Sequence, residues 1–378
     1  MKQGWTTVEL GQLCSVQSGD SNTQDAVADG PYVFFDRSRN PKRSTRYLFD
    51  CEALIIAGEG AEFRPKKASG KFDLHQRAYA IYGFGDRLLR DFLFYYLEYV
   101  HEYFQRVAVG ATVKSLRRRH FENLVVALPP LREQKRIVEV LDQAFAALDR
   151  ARANAEVNAA DLIQLRDSII SASLESALDA SSNRVSLGEL CTIARGGSPR
   201  PISRFLTADS RGINWIKISD ATASGKFIEG TKERIIPEGV SRSRYVTSGA
   251  FLLTNSMSFG RPYILKTNGC IHDGWLVLEP DYEQVDQEYL YYLLGSRQVY
   301  GEFDRLAAGS TVRNLNIDLV SRVSVRLPSL EKQRDAVASI ISAVGVVHEL
   351  VKANEAKLAD IAALRQSLLQ AAFSGQLT

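Results

Sequence analysis

The chain of 378 residues repeats itself once, with a shift of 199 positions. Three pairs of motifs carry the repeat: GATVKSL at 110–116 and GSTVRNL at 309–315, LPPLREQ at 128–134 and LPSLEKQ at 327–333, and LRDSI at 165–169 and LRQSL at 364–368. A repeat of this length duplicates a whole domain with its connector, whereas solenoids have periods of roughly 20–50 residues. The sequence therefore predicts two similar units, which suits a target with two similar parts.

Each copy consists of a variable part followed by a constant part. The variable parts contain short apolar strands punctuated by glycine, such as 53–57 and 250–254, and then turn helical near 92–97 and 289–293. This order predicts an α+β domain with mixed sheets and peripheral helices. We predict four segments along the chain: 1–128, 129–180, 181–327 and 328–378.

The constant parts have the composition of long helices. From 131 to about 178 the sequence lacks glycine and proline, and good helix formers dominate. Apolar residues recur with a mean step near ~3.5, the pattern of a coiled coil. The predicted helix–helix seam contains Ile137, Leu141, Leu148, Leu162, Leu165 and Ile169 in the first copy, and Ile340, Val347, Leu350, Ile361, Leu364 and Leu368 in the second. Gly345 interrupts the second pattern and is expected to weaken it by about 1 kcal/mol.

A helix of ~45 residues would be ~70 Å long, too long to be stable alone and too narrowly striped for a globular core. We therefore expect the two helices to pack on each other as an antiparallel pair with a pseudo-two-fold axis. The alternative is that each helix docks on its own domain or on another chain.

The sequence contains no recognisable catalytic motif. There is no GxxxxGK[ST], HExxH or GxSxG motif, no glycine-rich cofactor fingerprint after a strand, and no Asn-Pro-Pro-aromatic tetrapeptide. The five histidines are scattered, and the four cysteines form no CxxC pair, so we expect buried thiols and no metal site. These absences favour a binding protein without a cofactor of its own.

Basic residues cluster in the variable parts. The net charge of +3 is nearly neutral, so any role in nucleic-acid binding depends on local clusters. Arginine and lysine neutralise phosphates, and arginine also binds guanine in a bidentate manner. The predicted DNA-binding residues are Arg37, Arg39, Lys42, Arg43, Arg46, Arg64, Lys66 and Lys67 in the first copy, and Arg195, Ser198, Arg200, Arg204, Arg242, Ser243, Arg244, Ser258 and Arg261 in the second. The alternative interpretation of each cluster is a solvated surface loop.

Localisation follows from what the sequence does not show. No uninterrupted apolar run approaches the ~20 residues of a membrane span. The first residues have no apolar segment of the kind found in secretion signals. We therefore expect a cytoplasmic protein without a membrane partner.

Taken in order, the constant motifs resemble those of the specificity subunit of type I restriction–modification systems. The resemblance rests on LPPLREQKRI at 128–137, LRDSIISASLESAL at 165–178 and LRQSLLQAAFSGQL at 364–377, and it covers essentially the whole chain. It implies two target-recognition domains that each read half of a split DNA site, and two helices that form an antiparallel coiled coil and set the spacer. The second copy departs from the pattern at Glu331 and Lys332.

The resemblance also implies the partners. The subunit itself would be non-catalytic and would hold two modification subunits, methyltransferases that carry S-adenosylmethionine and methylate adenine in double-stranded DNA. Through them it would recruit restriction subunits, motor–nucleases that use ATP and magnesium. The alternative hypothesis is a coiled-coil scaffold whose variable domains bind protein. Because the variable parts differ from each other, a DNA reader of this kind would recognise a non-palindromic site.

Overall fold

The computed structural model describes residues 4–60, 62–255, 259–307 and 314–377. The chain divides into two compact units, 1–157 with 354–378 and 158–353. Two long helices, α4 (Leu131–Ser176) and α10 (Leu330–Phe373), each contribute a part to both units. The four segments predicted from the sequence are not the same division, and their boundaries stay a prediction.

Within the described residues, the variable domain of the first unit contains ten strands and three α-helices. The strands are β1 (Thr6–Glu9), β2 (Ser15–Ser18), β3 (Tyr32–Phe35), β4 (Lys42–Ser44), β5 (Phe49–Asp50), β6 (Ala53–Ala57), β7 (Lys66–Ala68), β8 (Lys71–Leu74), β9 (Ala78–Tyr82) and β10 (Val125–Leu128). The helices are α1 (Arg90–Tyr99), α2 (His101–Val107) and α3 (Arg118–Glu122). One sheet has the order β2-β9-β6-β7 and is antiparallel; the other has the order β4-β3-β8-β5, with β3 and β8 parallel.

The core of the first unit joins this domain to the long helices. Phe92, Phe104 and Phe121 from the short helices are fully buried. Around them pack α4 residues Ile137, Leu141 and Phe145, and α10 residues Leu369, Ala372 and Phe373. The ends of both long helices are therefore part of a globular core.

The described part of the variable domain of the second unit has twelve strands and five α-helices. The strands are β11 (Asn183–Ser186), β12 (Cys191–Arg195), β13 (Leu206–Thr207), β14 (Ile213–Ile216), β15 (Phe227–Ile228), β16 (Glu233–Ile235), β17 (Arg244–Val246), β18 (Phe251–Thr254), β19 (Pro262–Leu265), β20 (Gly269–Ile271), β21 (Trp275–Pro280) and β22 (Ser324–Leu327). The helices are α5 (Leu187–Leu190), α6 (Ile218–Ser224), α7 (Gln287–Leu294), α8 (Arg297–Ala307) and α9 (Ile317–Ser321). Its sheets have the orders β12-β21-β18-β19-β15 and β13-β16-β14-β20-β17.

The same framework recurs in both units. A two-stranded antiparallel ribbon joins the start of each variable domain to the strand before its long helix, β1 with β10 and β11 with β22. The backbone contact after each ribbon is also repeated: the Leu10 N–H donates to the Leu124 carbonyl, and the Leu187 N–H to the Val323 carbonyl, both at 2.8 Å. The duplication seen in the sequence is therefore a duplication of structure.

The long helices run antiparallel wherever they pair. In the first unit the Asn354 side-chain amide donates to the Ala155 carbonyl at 2.9 Å, and Arg365 pairs with Asp149 at 2.8 Å. Residue numbers rise along α10 as they fall along α4. In the second unit the buried α4 residues Leu174 and Ala177 share a core with the α10 residues Ala336, Val337 and Ile340. The predicted fold class, α+β with two antiparallel long helices and an internal repeat, is confirmed.

Three residues of the predicted seam are about half exposed, and the seam stays a prediction. Leu165, Leu350 and Leu364 are 46%, 47% and 49% exposed. Ile137, Leu141, Ile340 and Val347 are buried, and the remaining predicted residues Leu148, Leu162, Ile169, Ile361 and Leu368 are partly buried.

The exposed residues of α10 differ from the covered ones in phase. The covered stripe contains Val337, Ile340, Val344, Val347, Val351, Asn354, Leu358, Ile361, Arg365, Leu368 and Ala372, all buried or half-buried. The mean step of this series is about 3.5 residues, the heptad period of a coiled coil. Val351 and Arg365 lie in the stripe where the prediction has their neighbours Leu350 and Leu364.

Helix α10 runs without a break through Gly345, whose position has open space around it, and the expected local weakening stays a prediction. Within the described residues it is also long and apolar enough, by length and composition alone, to cross a membrane, with a mean hydropathy of 1.6 over 18 residues. The sequence of this helix contains no uninterrupted apolar run of that length, because scattered charged residues divide it. One such helix is weak evidence for a span, and Val337 and Ile340 of this helix lie in the core of the second unit.

Candidate nucleic-acid interface

Asp36 organises the first basic loop, between β3 and β4. Its carboxylate is 6% exposed and lies 2.7 Å from the Lys42 ammonium. The Ser38 backbone N–H donates to it at 2.8 Å, and the Ser38 hydroxyl donates to it as well. Burial by itself would raise the pKa of Asp36, but the hydrogen bonds from Lys42 and Ser38 outweigh it and hold the pKa below its ordinary value. The ionised Asp36 carboxylate thus holds the conformation of this loop.

Three arginines in and around this loop are held within the domain. Arg37 pairs with Glu59 at 2.9 Å, and Glu59 also binds Arg77 at 3.0 Å. The guanidinium of Arg43 donates to the carbonyls of Gly30 and Pro31 at 2.7 and 2.9 Å. Arg46 binds both oxygens of Asp20, at 2.8 and 3.0 Å, and its Nε lies 4.0 Å from buried Asp73. Arg39 is exposed and has no ion-pair partner among the residues that the structure describes.

The second predicted cluster of the first copy separates in space. The Lys66 ammonium donates to the Ser38 carbonyl, which brings Lys66 to the loop of Asp36, and burial lowers its pKa. Arg64 instead pairs with Glu98 of α1 at 2.8 Å. Lys67 pairs with Asp91 of α1 at 2.9 Å and lies 4.7 Å from the centre of the Phe94 ring. Arg64 and Lys67 therefore face helix α1, whereas Lys66 joins the basic loop.

Asp273 organises the basic residues of the second domain. Ser198 donates to its carboxylate at 2.6 Å and Arg200 at 3.2 Å, while Arg195 donates through Nε to its backbone carbonyl at 2.9 Å. Arg244 in turn donates to the Arg195 carbonyl at 2.7 Å. The hydrogen bond from Ser198 is the main reason that the pKa of Asp273 lies below its ordinary value. The segment 195–200 thus meets the distant turn at Asp273, and Arg244 joins them through Arg195.

The remaining predicted residues of the second domain have mixed environments. Arg242 is exposed and lies over the Phe205 ring at 5.7 Å, and the Ser243 hydroxyl donates to the Ile271 carbonyl at 3.3 Å. Arg204 and Arg261 are exposed, and no ion pair of their side chains is found within the described ranges. Ser258 lies outside the described residues.

The carboxylates and one lysine were not predicted from the sequence. Asp36, Asp73 and Asp273 are single acidic residues inside basic or apolar stretches, and only the local pattern Asp36-Arg37-Ser38 is a recognisable turn signal. Lys226 repeats the arrangement of Lys67: it pairs with Glu288 of α7 and lies 4.7 Å from the centre of the Tyr291 ring. Both α1 and α7 have an acidic residue in the first turn, followed by adjacent aromatic residues. This shared pattern was the signal in the sequence that could have indicated the two lysine contacts.

The geometry suits binding rather than catalysis. Six of the predicted cations are partly exposed and pair with a carboxylate of their own domain: Arg37, Lys42, Arg46, Arg64, Lys67 and Arg200. Phosphate oxygens can replace that carboxylate without large desolvation. Within the parts of the chain that the structure describes, no group of three His, Cys, Asp or Glu side chains is placed to hold a metal ion. All four cysteines are free, and burial raises the pKa of the Cys14 and Cys191 thiols to about 12.

Comparison with known sequences relates both copies to one family. A family model described as the type I restriction modification DNA specificity domain matches residues 2–159 and again 181–359. The chain is 23% identical to the specificity subunit of the type I restriction enzyme EcoDI from Escherichia coli, an alignment that covers 99% of this chain and 89% of the relative. It is 22% identical to the StySPI specificity subunit from Salmonella potsdam, over 72% of this chain and 62% of the relative.

Comparison with solved structures concerns the fold. A chain from a structure on the complex assembly and conformational transition of the type I R-M system superimposes with a TM-score of 0.75 at 20% identity, covering 99% of both chains. The HsdS subunit from Thermoanaerobacter tengcongensis superimposes with a TM-score of 0.58 at 19% identity, covering 100% of this chain and 98% of that one. At these identities the likeness extends to the fold.

Proposed function

This chain belongs to the family of type I restriction modification DNA specificity domains, and on that premise we propose that it is the subunit that reads the DNA sequence for a type I restriction–modification complex. As a specificity subunit it is non-catalytic. Each variable domain reads one half of a split site, and the two long helices set the length of the unread spacer.

The duplication is the observation that supports this function most strongly. Each unit has its own two-stranded ribbon and its own pair of larger sheets, and each contains parts of both long helices. The basic loops of the two units nevertheless differ in sequence and in the carboxylate that organises them. A duplex offers two half-sites on one face about one helical turn apart, ~34 Å, to a protein with two such heads. Because the loops differ, the two half-sites differ, and the recognised site is asymmetric.

The residues proposed to contact DNA follow the geometry of the loops. Arg39, Arg204 and Arg261 are exposed cations without an ion-pair partner within the described ranges, and Arg200 is 82% exposed although it reaches Asp273. Arg37, Lys42, Arg46, Lys66, Arg195, Arg242 and Arg244 belong to the same basic clusters of the sequence and are proposed to position the phosphate backbone. Arg43, held by two carbonyls, is proposed to support its loop.

The chemistry is proposed to reside in partners. Two methyltransferase subunits carrying S-adenosylmethionine dock on the long helices, and motor–nuclease subunits that use ATP and magnesium join through them. The complex is proposed to work in the cytoplasm on double-stranded DNA.

A binding experiment with the assembled methyltransferase complex tests this function. The complex is incubated with a random-sequence duplex library, and bound duplexes are sequenced after washes at rising salt. Enrichment of one split, asymmetric sequence is expected, with affinity that falls steeply as salt rises because several cations neutralise phosphates. Binding without sequence preference, or binding that salt leaves unchanged, would favour the scaffold hypothesis.

A further inference from the structure

Two glutamines are completely buried, and they occupy the same place in the two copies. Gln134 and Gln333 are 199 positions apart and both are 0% exposed. Each is the fourth residue of its long helix, α4 from Leu131 and α10 from Leu330. A buried amide side chain is costly unless its hydrogen bonds are made, so its partners indicate what it does.

Gln134 joins three backbone groups of the first unit. Its Nε2 donates to the Arg87 carbonyl at 2.8 Å and to the Pro129 carbonyl at 2.9 Å. Its Oε1 accepts from the Leu89 N–H at 2.9 Å. Leu89 is the residue that caps the start of α1, so this side chain connects the first turn of the long helix to the first turn of the domain helix.

Gln333 makes the same three bonds in the second unit. Its Nε2 donates to the Gln284 and Pro328 carbonyls, both at 2.9 Å, and its Oε1 accepts from the Asp286 N–H at 2.8 Å. Asp286 caps α7, accepting from the Glu288 and Tyr289 N–H groups. The two loops have different sequences, Arg-Leu-Leu at 87–89 and Gln-Val-Asp at 284–286.

The bonds depend on backbone and not on the side chains of the variable domain. In each loop the middle residue, Leu88 or Val285, is buried and apolar. A side chain shorter than glutamine cannot reach both the proline carbonyl and the domain loop. A hydrocarbon of equal length reaches them but leaves two carbonyls and one N–H without partners, each at about 1–3 kcal/mol.

We propose that Gln134 and Gln333 are positioning residues that hold each variable domain at a fixed angle to the long helix of its own unit, and thereby sharpen the spacer length that the protein accepts. This inference rests on the proposed function for its consequence in DNA recognition. Both donors and the acceptor of each amide are engaged by fixed backbone groups. The connection between each variable domain and its long helix therefore has one geometry. The residues touch neither the basic loops nor DNA-facing side chains, so the preferred bases in each half-site stay unchanged.

A spacer series tests the consequence. The assembled complex carrying Gln134→Met or Gln333→Met is bound to duplexes with constant half-sites and spacers one or two base pairs longer or shorter than the best one. We expect the ratio of affinities between the best spacer and its neighbours to fall by about tenfold, because the domain now occupies several angles of similar free energy. Gln143→Met is the matched control, since Gln143 is an exposed glutamine on the same helix α4. Gln134→Asn keeps the amide but is one methylene too short, and it is the milder variant should Gln134→Met not fold.

A second measurement is independent of DNA. Spin labels at Asn40, in the exposed basic loop, and at Gln143, on α4, report the distance between domain and helix within the first unit. The distance distribution is expected to broaden in Gln134→Met and Gln134→Asn and to match the wild type in Gln333→Met.

The two measurements separate the possible failures. Unchanged distance distributions in folded Gln134 variants would show that the glutamine does not hold the angle, whatever the protein binds. Broadened distributions with unchanged spacer discrimination would refute the link to spacing. A wild-type complex that binds no split site would refute the proposed function and this consequence of it. The distance measurement would still test whether Gln134 holds the variable domain at a fixed angle to α4.

Discussion

Single carboxylates set the conformation of the basic loops. Asp36 accepts hydrogen bonds from its near neighbours Ser38 and Lys42. Asp73 and Asp273 accept them from segments that are distant in sequence: Ser21 and Ser44 both donate to Asp73, at 2.8 and 2.9 Å. The sequence shows where arginine and lysine accumulate, but a lone aspartate carries no signal of the partner that the fold brings to it. For this reason the basic clusters could be predicted, whereas the convergence on Asp273 and the turning of Arg64 and Lys67 toward α1 could not.

The Asp36 network makes a prediction about acid stability. Its pKa is depressed in the folded protein, so its contribution is complete above the unfolded pKa of about 4 and is lost as the pH falls through the lower folded value. Asp36→Asn should therefore reduce the free energy of unfolding by about 1–3 kcal/mol at pH 7. It should also reduce the loss of stability between pH 4 and pH 2. Urea unfolding at pH 7, 4 and 2 measures both effects. An equal loss at every pH would show that the charge of Asp36 is not involved.

Two exposed arginines should separate the half-sites. Arg39→Ala should weaken binding through the first variable domain and Arg200→Ala through the second, each by about 1–3 kcal/mol if the residue contacts a base. The measurement is the affinity of the assembled complex for duplexes with single substitutions in one half-site. Each variant should relax the base preference in one half only. A uniform loss across all sequences would assign the residue to phosphate contact, and a change in the opposite half would contradict the division between the domains.

At the scale of elements, the long helices were the most predictable part of the molecule and their contact face the least. The absence of glycine and proline from 131 to 178 predicted the first helix, and the helix-forming composition of both constant parts predicted the pair. The burial of individual leucines depends on the phase of the heptad, since Val351 and Arg365 are half-buried whereas Leu350 and Leu364 are exposed. Sequence periodicity gives a mean step of about 3.5 residues, but it does not decide which of two adjacent positions faces the contact.

Core substitutions in α10 should distinguish the observed face from the predicted one. Ile340 is 0% exposed and Leu364 is 49% exposed. Ile340→Ala should reduce the free energy of unfolding by about 2–5 kcal/mol, whereas Leu364→Ala should change it by less than about 1 kcal/mol. Chemical denaturation of the two variants, made in the same background, provides the comparison. Equal losses would restore Leu364 to the buried seam.

For the molecule as a whole, the duplication explains what the sequence could establish. Motifs repeated 199 positions apart predicted two α+β units built on one pair of helices, and the structure and the family agree with that prediction. The variable middles share almost no identity, so their strand orders and the residues that reach a base edge have no template within the chain. A repeat long enough to span a domain and a helix predicts the two-unit architecture. Which DNA is bound depends on the placement of side chains at a few loop positions.

Shortening both helices should change the spacer. Deleting seven residues from each, at positions one repeat length apart, removes almost two helical turns and about 10 Å, which corresponds to about three base pairs. The assembled complex should then prefer a spacer shorter by about that amount, with the same bases in both half-sites. The measurement is selection from a library with random spacer length. A change in the half-site bases would show that the helices do more than set a distance.

Sequencing the methylated positions of genomic DNA tests whether this chain selects the DNA site. The cell produces this chain together with its methyltransferase subunits, and a matched cell lacks the chain. We expect one methylated motif that depends on the chain and consists of two different half-sites separated by a spacer of constant length. A continuous or palindromic motif, or methylation that persists without the chain, would contradict the proposed function.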